Sequence, residues 1–233
     1  MKALLVARRE LSDLFADRSF LLGLLVLVAM PLILVFTLGG ATPRDPRPII
    51  FVFAVQSSIF PAFMSVNAAA STFVQDKEGQ SLLPLLAAPI RDGEIVLGKM
   101  LAIFTPAAVA SWLTLILFTV TASWRFGADR VLGILSPQML LTLGVLSSLF
   151  VITLGSWAMV IASRVKTVRA AQQIAGLVVG LITVGLAAAA SFITQLLDGW
   201  LLVALPLGVL AADVVALELT RRLWGREEAI GRI

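Results

Sequence analysis

The sequence predicts an all-α integral membrane protein. It has six transmembrane helices, an amphipathic interfacial helix at its N-terminus, and both termini in the cytoplasm. Three observations carry that prediction. Of 233 residues, 59% are hydrophobic and only 14% charged, against about 45–50% and about 25% in soluble domains. The mean hydropathy is +1.00. The apolar residues fall into six segments, each near the ~20 residues that a helix needs to cross the hydrocarbon core. The whole chain, 1–233, then forms a single transmembrane domain.

Residues 1–19 precede the first long apolar run. Leu4, Ala7, Leu11, Leu14 and Phe15 recur at helical spacing, with Lys2, Arg9, Ser12, Asp13 and Ala16 opposite. That pattern reads as a helix lying in the cytoplasmic interface; a plain extension of the first span is the alternative. The first span, 20–39, is free of charge from Arg18 to Arg44. The small residues Gly39, Gly40 and Ala41 could mimic a signal-peptidase site. The leading region, with Glu10, Asp13 and Asp17, is too long and too acidic for a signal peptide, so the segment reads as a retained span.

A proline-rich turn leads to the second span, 49–74. Gln56, Ser57, Ser58, Asn67, Ser71 and Thr72 lie within it, as does Pro61. Polar groups in hydrocarbon need partners, so this helix is expected to face other helices or a wet cavity, with Gln56, Ser57 and Asn67 as path-lining candidates. A polar segment, 75–99, separates it from the third span, 100–122. A loop at 123–130 follows. The stretch Val131–Ser163 then lacks charge for 33 residues, more than one span needs. Pro137 divides it into a lead-in segment and a fourth span, 138–162. Arg164, Lys166 and Arg169 form a basic loop before the fifth span, 174–194. Gly176 and Gly180 within it make a GxxxG pair that permits close helix approach, although chance spacing produces the same pair in a glycine-rich helix. The sixth span is 200–219.

Arg44, Arg47, Arg125 and Arg130 fall on one side of this topology, and the other fourteen of the 18 lysines and arginines on the opposite side. The bias of basic residues toward the cytoplasm therefore places both termini and segment 75–99 inside, in a plasma or inner membrane crossed several times. It also accounts for a pI near 10.3 without nucleic acid. Trp124, Trp200 and Trp224 fall near the interfaces, where aromatic side chains anchor.

Without cysteine or histidine, thiolate chemistry, a histidine base and His or Cys metal ligands are excluded. No catalytic residue and no metal ligand is expected. Asp76, Glu78, Asp92 and Glu94 cluster, but they read as solvated or partner-facing charges. Gly93 to Lys99 matches the letters GxxxxGK of a phosphate-binding loop. The next residue is Met100 rather than the Ser or Thr that holds magnesium, and no strand precedes it, so nucleotide binding there is rejected. Asp92 instead resembles a helix N-cap.

Asp213 is the one acid well inside a predicted span. It lies eight residues before Arg221, roughly 12 Å along a helix. A functional acid, as an ion or proton site or a charge partner, competes with an acid facing a hydrated vestibule or packed on a polar neighbour.

Segment 75–99 is the most informative. Ser81 can cap a short helix with Pro84 in its first turn. Leu82, Leu83, Leu85 and Leu86 give that helix an apolar face, and Pro89 stops it. The face can lie on lipid or enter a groove on a partner, and the residues leave the two open.

The arrangement D-K-E-G-x-S-L-L-x-L-L-A-x-P-I-x-x-x-E-I-x-L-G-K, Asp76 to Lys99, resembles the ABC-2 type family of ABC transporter permeases. Glu78, Gly79, Ser81, Leu82, Leu85, Leu86, Pro89, Glu94, Gly98 and Lys99 carry the resemblance. Arg8, Arg9 and Glu10 of the opening helix, the six spans and the basic loop extend it over nearly the whole chain. The family often has an acid after its Thr-Leu pair; Leu83 stands there instead, which puts a salt bridge to the partner at that position in doubt.

The resemblance implies a permease subunit of an ATP-binding cassette exporter. It would form the translocation path as a homodimer or heterodimer and be surrounded by membrane lipid. A separate cytoplasmic ABC ATPase subunit would hold ATP and magnesium, leaving this chain no cofactor and no enzymatic activity of its own. The loop after the second span would supply the coupling helix, with Glu78, Gly79, Ser81, Leu82, Leu85, Leu86 and Pro89 on the partner. A haem-exporter-type permease is a related alternative. From other classes come an ion- or proton-coupled secondary transporter using Asp213, for which no internal repeat is found, and an intramembrane enzyme or assembly factor.

Overall fold

The computed structural model describes residues 2–38, 47–66, 68–69, 92–164 and 201–223, together with Ala170, Gln173, Gly176 and Leu177. Among these residues there is no strand; the elements are α1 (Lys2–Ala16), α2 (Arg18–Leu38), α3 (Arg47–Ile59), α4 (Asp92–Phe126), α5 (Ala128–Ile134), α6 (Pro137–Arg164) and α7 (Leu201–Leu223).

Local chemistry sets the boundaries. Asp17 separates α1 from α2 and caps the second: its Oδ1 accepts the Ser19 N–H at 2.8 Å, and its carbonyl accepts the Leu21 N–H at 3.1 Å. This is the N-cap role that short acidic side chains favour. Pro61 interrupts the second apolar segment. With no N–H of its own, it forces a turn at Phe60–Pro61 before helix resumes at 62–66. The second span is thus not one uninterrupted helix, although Ile49–Val66 is long and apolar enough to cross a membrane.

The expected loop at 123–130 is almost entirely helical. α4 runs to Phe126 and α5 starts at Ala128, and only Gly127, at φ +94°, breaks the path. That backbone region is open to glycine. Pro137 acts as the sequence predicted: Ser136 Oγ accepts the Met139 N–H at 3.3 Å, and Pro137 occupies the first helical position, where its missing N–H costs nothing.

Among the described residues, four helices are long and apolar enough to span a membrane: Arg18–Thr37, Ile49–Val66, Gly93–Phe126 and Pro137–Met159. Only 12% of the α2 window is buried, and Leu22, Leu25, Val26, Ile33 and Phe36 stand exposed. An apolar surface of that extent is unusual on a soluble protein; it points to a membrane-embedded chain. α7 covers the expected sixth span, with a shorter apolar stretch at Pro206–Val215. The expected fifth span, 174–194, lies outside the described residues apart from Gly176 and Leu177, and so does Gly180 of the GxxxG pair.

α4 is the hub. It packs against α1, α2, α3, α5 and α6, while α6 also packs against α3 and α7. Its 35 residues reach roughly 52 Å, longer than the ~30 Å hydrocarbon core. The core divides into two clusters along its length. One gathers Leu14, Met64, Val66, Met100, Ile103, Ala107, Val151, Leu154 and Met159. The other gathers Val35, Ile50, Phe51, Leu115, Phe118, Val131, Leu135 and Leu143.

α1 lies differently from the expectation. Ala7 and Leu14 of the expected apolar face are buried, but so are Val6 and Glu10, while Leu4, Leu5 and Phe15 are exposed. The buried side faces α4 rather than lipid. The apolar residues left outside, Leu4, Leu5 and Phe15, fit a helix that rests on the bundle and still presents an apolar edge outward.

Candidate functional site

Three polar features stand out against this apolar background. The first joins α1 to the start of α4. Gly98 sits where the α1 backbone comes closest: a Cβ there would lie 2.7 Å from both the Ala3 carbonyl oxygen and Val6 Cβ. That approach carries Lys99 into the contact. Its Nζ meets Glu10 Oε1 at 3.1 Å, with side-chain exposures of 1% and 11%. The Gly-Lys pair that imitated a phosphate loop is therefore a helix-docking device. Glycine admits the neighbouring helix, and lysine ties it by a buried, charge-assisted hydrogen bond. By charge bias Lys99 belongs with the cytoplasmic bases, two turns into the helix that Asp92 opens; its side chain is interior. Glu10 gave a signal that could have been read, since it interrupts the stripe Ala3, Val6, Ala7, Glu10, Leu14 at helical spacing.

The second feature is a belt of buried hydroxyls between the two apolar clusters. Ser57 and Ser58 of α3, Ser111 and Thr114 of α4, and Ser147 of α6 are all buried. Most turn back on their own helices: Ser58 Oγ donates to the Val55 carbonyl at 2.8 Å, Ser111 Oγ to the Ala107 carbonyl at 3.0 Å, and Ser147 Oγ to the Gly144 carbonyl at 2.9 Å. Thr114 crosses between helices, its Oγ1 lying 2.7 Å from the Ser57 carbonyl. Ser57 Oγ has no hydrogen-bond partner among the described residues. Next to Ser147, Trp112 Nε1 donates to Ser148 Oγ at 3.0 Å, and Ser148 Oγ donates to the Gly144 carbonyl at 2.9 Å.

The third is Asp213. Only 2% exposed, it lies on α7 against α6, and its Oδ1 is hydrogen-bonded to Thr153 Oγ1. Its other oxygen, Oδ2, has no hydrogen-bond partner among the described residues.

The residues expected to line a path are only partly brought together. Gln56 is half-buried on α3 and Ser57 is buried beside it. Ser57 is tied through Thr114 to α4, whereas Asp213 is tied through Thr153 to α6, so they belong to different contacts. Asn67 lies outside the described residues, and so do Glu78, Gly79, Ser81, Leu82, Leu85, Leu86 and Pro89. A groove of about 730 Å³ opens at the α1–α2 junction, lined by Leu14, Asp17, Phe20, Gly23, Phe63 and Met64 among others. Among the described residues no group of three His, Cys, Asp or Glu side chains converges.

No protein-family model matches the chain, and no curated protein matches it.

Proposed function

We propose that this chain is the permease subunit of an ATP-binding cassette exporter. It forms a translocation path as a dimer and is moved by a separate cytoplasmic ATPase subunit that holds ATP and magnesium. In this reading the chain crosses a plasma or inner membrane six times with both termini inside, catalyses nothing itself, and offers Ser81–Ala88 as the coupling helix.

The observation that carries the proposal is the junction at Gly98 and Lys99. The segment from Asp76 that resembles the coupling loop of ABC-2 permeases leads without interruption into α4. The two residues that end the resemblance dock α1 onto α4 through a close backbone approach and a buried ion pair. Force applied at Ser81–Ala88 would enter α4, which touches five other helices. α1 would be carried along by the Glu10 contact. The hydroxyl belt and the half-buried Gln56 supply polar groups that a path between two copies can use.

The test is co-purification from native membranes, with the ATPase identified by mass spectrometry and by ATP hydrolysis. Leu85→Glu or Leu86→Glu, placing a charge on the apolar face, is expected to lower ATPase recovery at least tenfold while the permease elutes unchanged on size exclusion. Recovery equal to wild type would sink the docking role. Robust ATP hydrolysis by the clean permease alone would sink the division of labour.

A further inference from the structure

Thr153 has one hydroxyl hydrogen and two oxygen neighbours. Its Oγ1 lies 3.1 Å from the Leu149 carbonyl oxygen, which can only accept. It is also hydrogen-bonded to Asp213 Oδ1. If Thr153 donates to Leu149, as threonines inside helices commonly do, the hydrogen in the second bond must come from Asp213.

The surroundings point the same way. Asp213 is buried, and Oδ2 has no hydrogen-bond partner among the described residues. An ionised carboxylate oxygen left so in an apolar interior is far costlier than the carbonyl oxygen of a neutral acid. Charged groups are distant along both helices. α6 carries only Arg164, at its C-terminal end, eleven positions from Thr153 and roughly 16 Å away along the axis. On α7 the nearest are Glu218, Arg221 and Arg222, from five to nine positions on. A metal cation is a poor occupant, since a hard cation needs several more oxygen ligands than this pair supplies.

We propose that Asp213 is a proton-binding site within the apolar bundle: as a neutral acid its Oδ1–H donates to Thr153 Oγ1, whose hydroxyl in turn donates to the Leu149 carbonyl. One proton accounts for all three observations: the doubly engaged threonine, the Oδ2 without a hydrogen-bond partner among the described residues, and the burial of the acid. The ligand is a proton exchanged with water, and no other group is bound or released. The site stands independently of the exporter reading, because it rests on α6 and α7 alone.

Infrared spectroscopy on the full-length protein in lipid nanodiscs at pH 7 tests it. The wild-type minus Asp213→Asn difference spectrum is expected to contain the C=O stretch of a protonated carboxylic acid, shifting downward in D2O. Thr153→Val, which removes the acceptor, is expected to move that band to higher frequency. A difference spectrum with carboxylate bands only would overturn the proposal. Should Asp213→Asn fail to assemble, the comparison of wild type with Thr153→Val still decides. A band that moves supports the site; a band that is absent or unmoved overturns it. Neither outcome involves the ATPase, so failure here and failure of the exporter reading are separately visible.

Discussion

Lys99→Met is expected to destabilise the protein by about 3–5 kcal/mol, the range for removing one partner of a buried ion pair. The loss would be read as a lower thermal or denaturant midpoint in detergent. The magnitude follows from burial rather than from the pair as such. An exposed ion pair is worth about 0–1 kcal/mol, and Arg9 with Asp13, 3.9 Å apart with both side chains more than half exposed, belongs there. Lys99 and Glu10 are held inside, at 1% and 11% side-chain exposure. Taking away the lysine strands Glu10 in that interior without its counter-charge. Glu10→Gln removes the counter-charge but keeps an amide oxygen to which Lys99 can donate, so a smaller loss is expected. The double variant Glu10→Leu with Lys99→Met removes both charges and is expected to recover most of the loss, since apolar replacement of a whole buried pair is often neutral or better. A double variant no better than either single one would show that the two side chains do not act as a pair. Gly98→Ala supplies a check without changing charge. Its Cβ would sit 2.7 Å from a backbone oxygen of α1, so the helix itself must retreat. That variant is expected to weaken the ion pair while leaving both of its members in place.

The pair also shows where the sequence stopped being legible. Hydropathy and punctuation located α2, α6 and α7 to within about four residues, while α4 starts eight residues before the expected third span and ends four after it, because an apolar helix is a local property: enough apolar residues, a cap or a charge, a proline. Ser136 with Pro137 could be read as a helix start for the same reason. Docking is not local. Glu10 and Lys99 lie 89 positions apart, and each alone is an unremarkable charge beside an apolar run. Only the approach allowed by Gly98 makes them partners, and the rotation of α1 that follows buries Val6 and exposes Leu4. The run at 123–130 failed differently. Its charges and tryptophan suggested a loop, yet Gly127 alone was needed for the break, and the rest continued as helix. Asp213 was conspicuous as an acid in a span, but nothing in the sequence selected Thr153 as its partner from the many hydroxyls. Gln56 and Ser57 stand out in the sequence through their polarity alone. Thr114, which ties Ser57 to α4, was hidden among threonines that merely satisfy themselves on their own helix.

Gly144→Val is expected to cost about 2–4 kcal/mol, combining about 1–3 for overpacking with about 1 for a lost hydrogen bond. Trp112 of α4 lies over Gly144 of α6: a Cβ there would run into Cη2 and lie 2.6 Å from both Cζ2 and Cζ3. Three ring atoms lie within that reach, so no small rotation of the ring clears it. The indole must swing away as a unit, and it has room outward, being 36% exposed. Swinging away breaks the relay in which Trp112 Nε1 donates to Ser148 Oγ and Ser148 Oγ donates to the Gly144 carbonyl. The relay and the glycine seat are thus one arrangement holding α4 on α6, near the hydroxyls of Ser111, Thr114 and Ser147. A compensating change separates this account from a generic intolerance to valine in a helix. In a Trp112→Leu background the ring is absent, and Gly144→Ala is expected to cost less than about 1 kcal/mol, since alanine is the better helix former. In the wild-type background the same alanine already clashes. Equal penalties for Gly144→Ala in the two backgrounds, measured by thermal unfolding in the same detergent, would mean that Trp112 is not what the glycine accommodates.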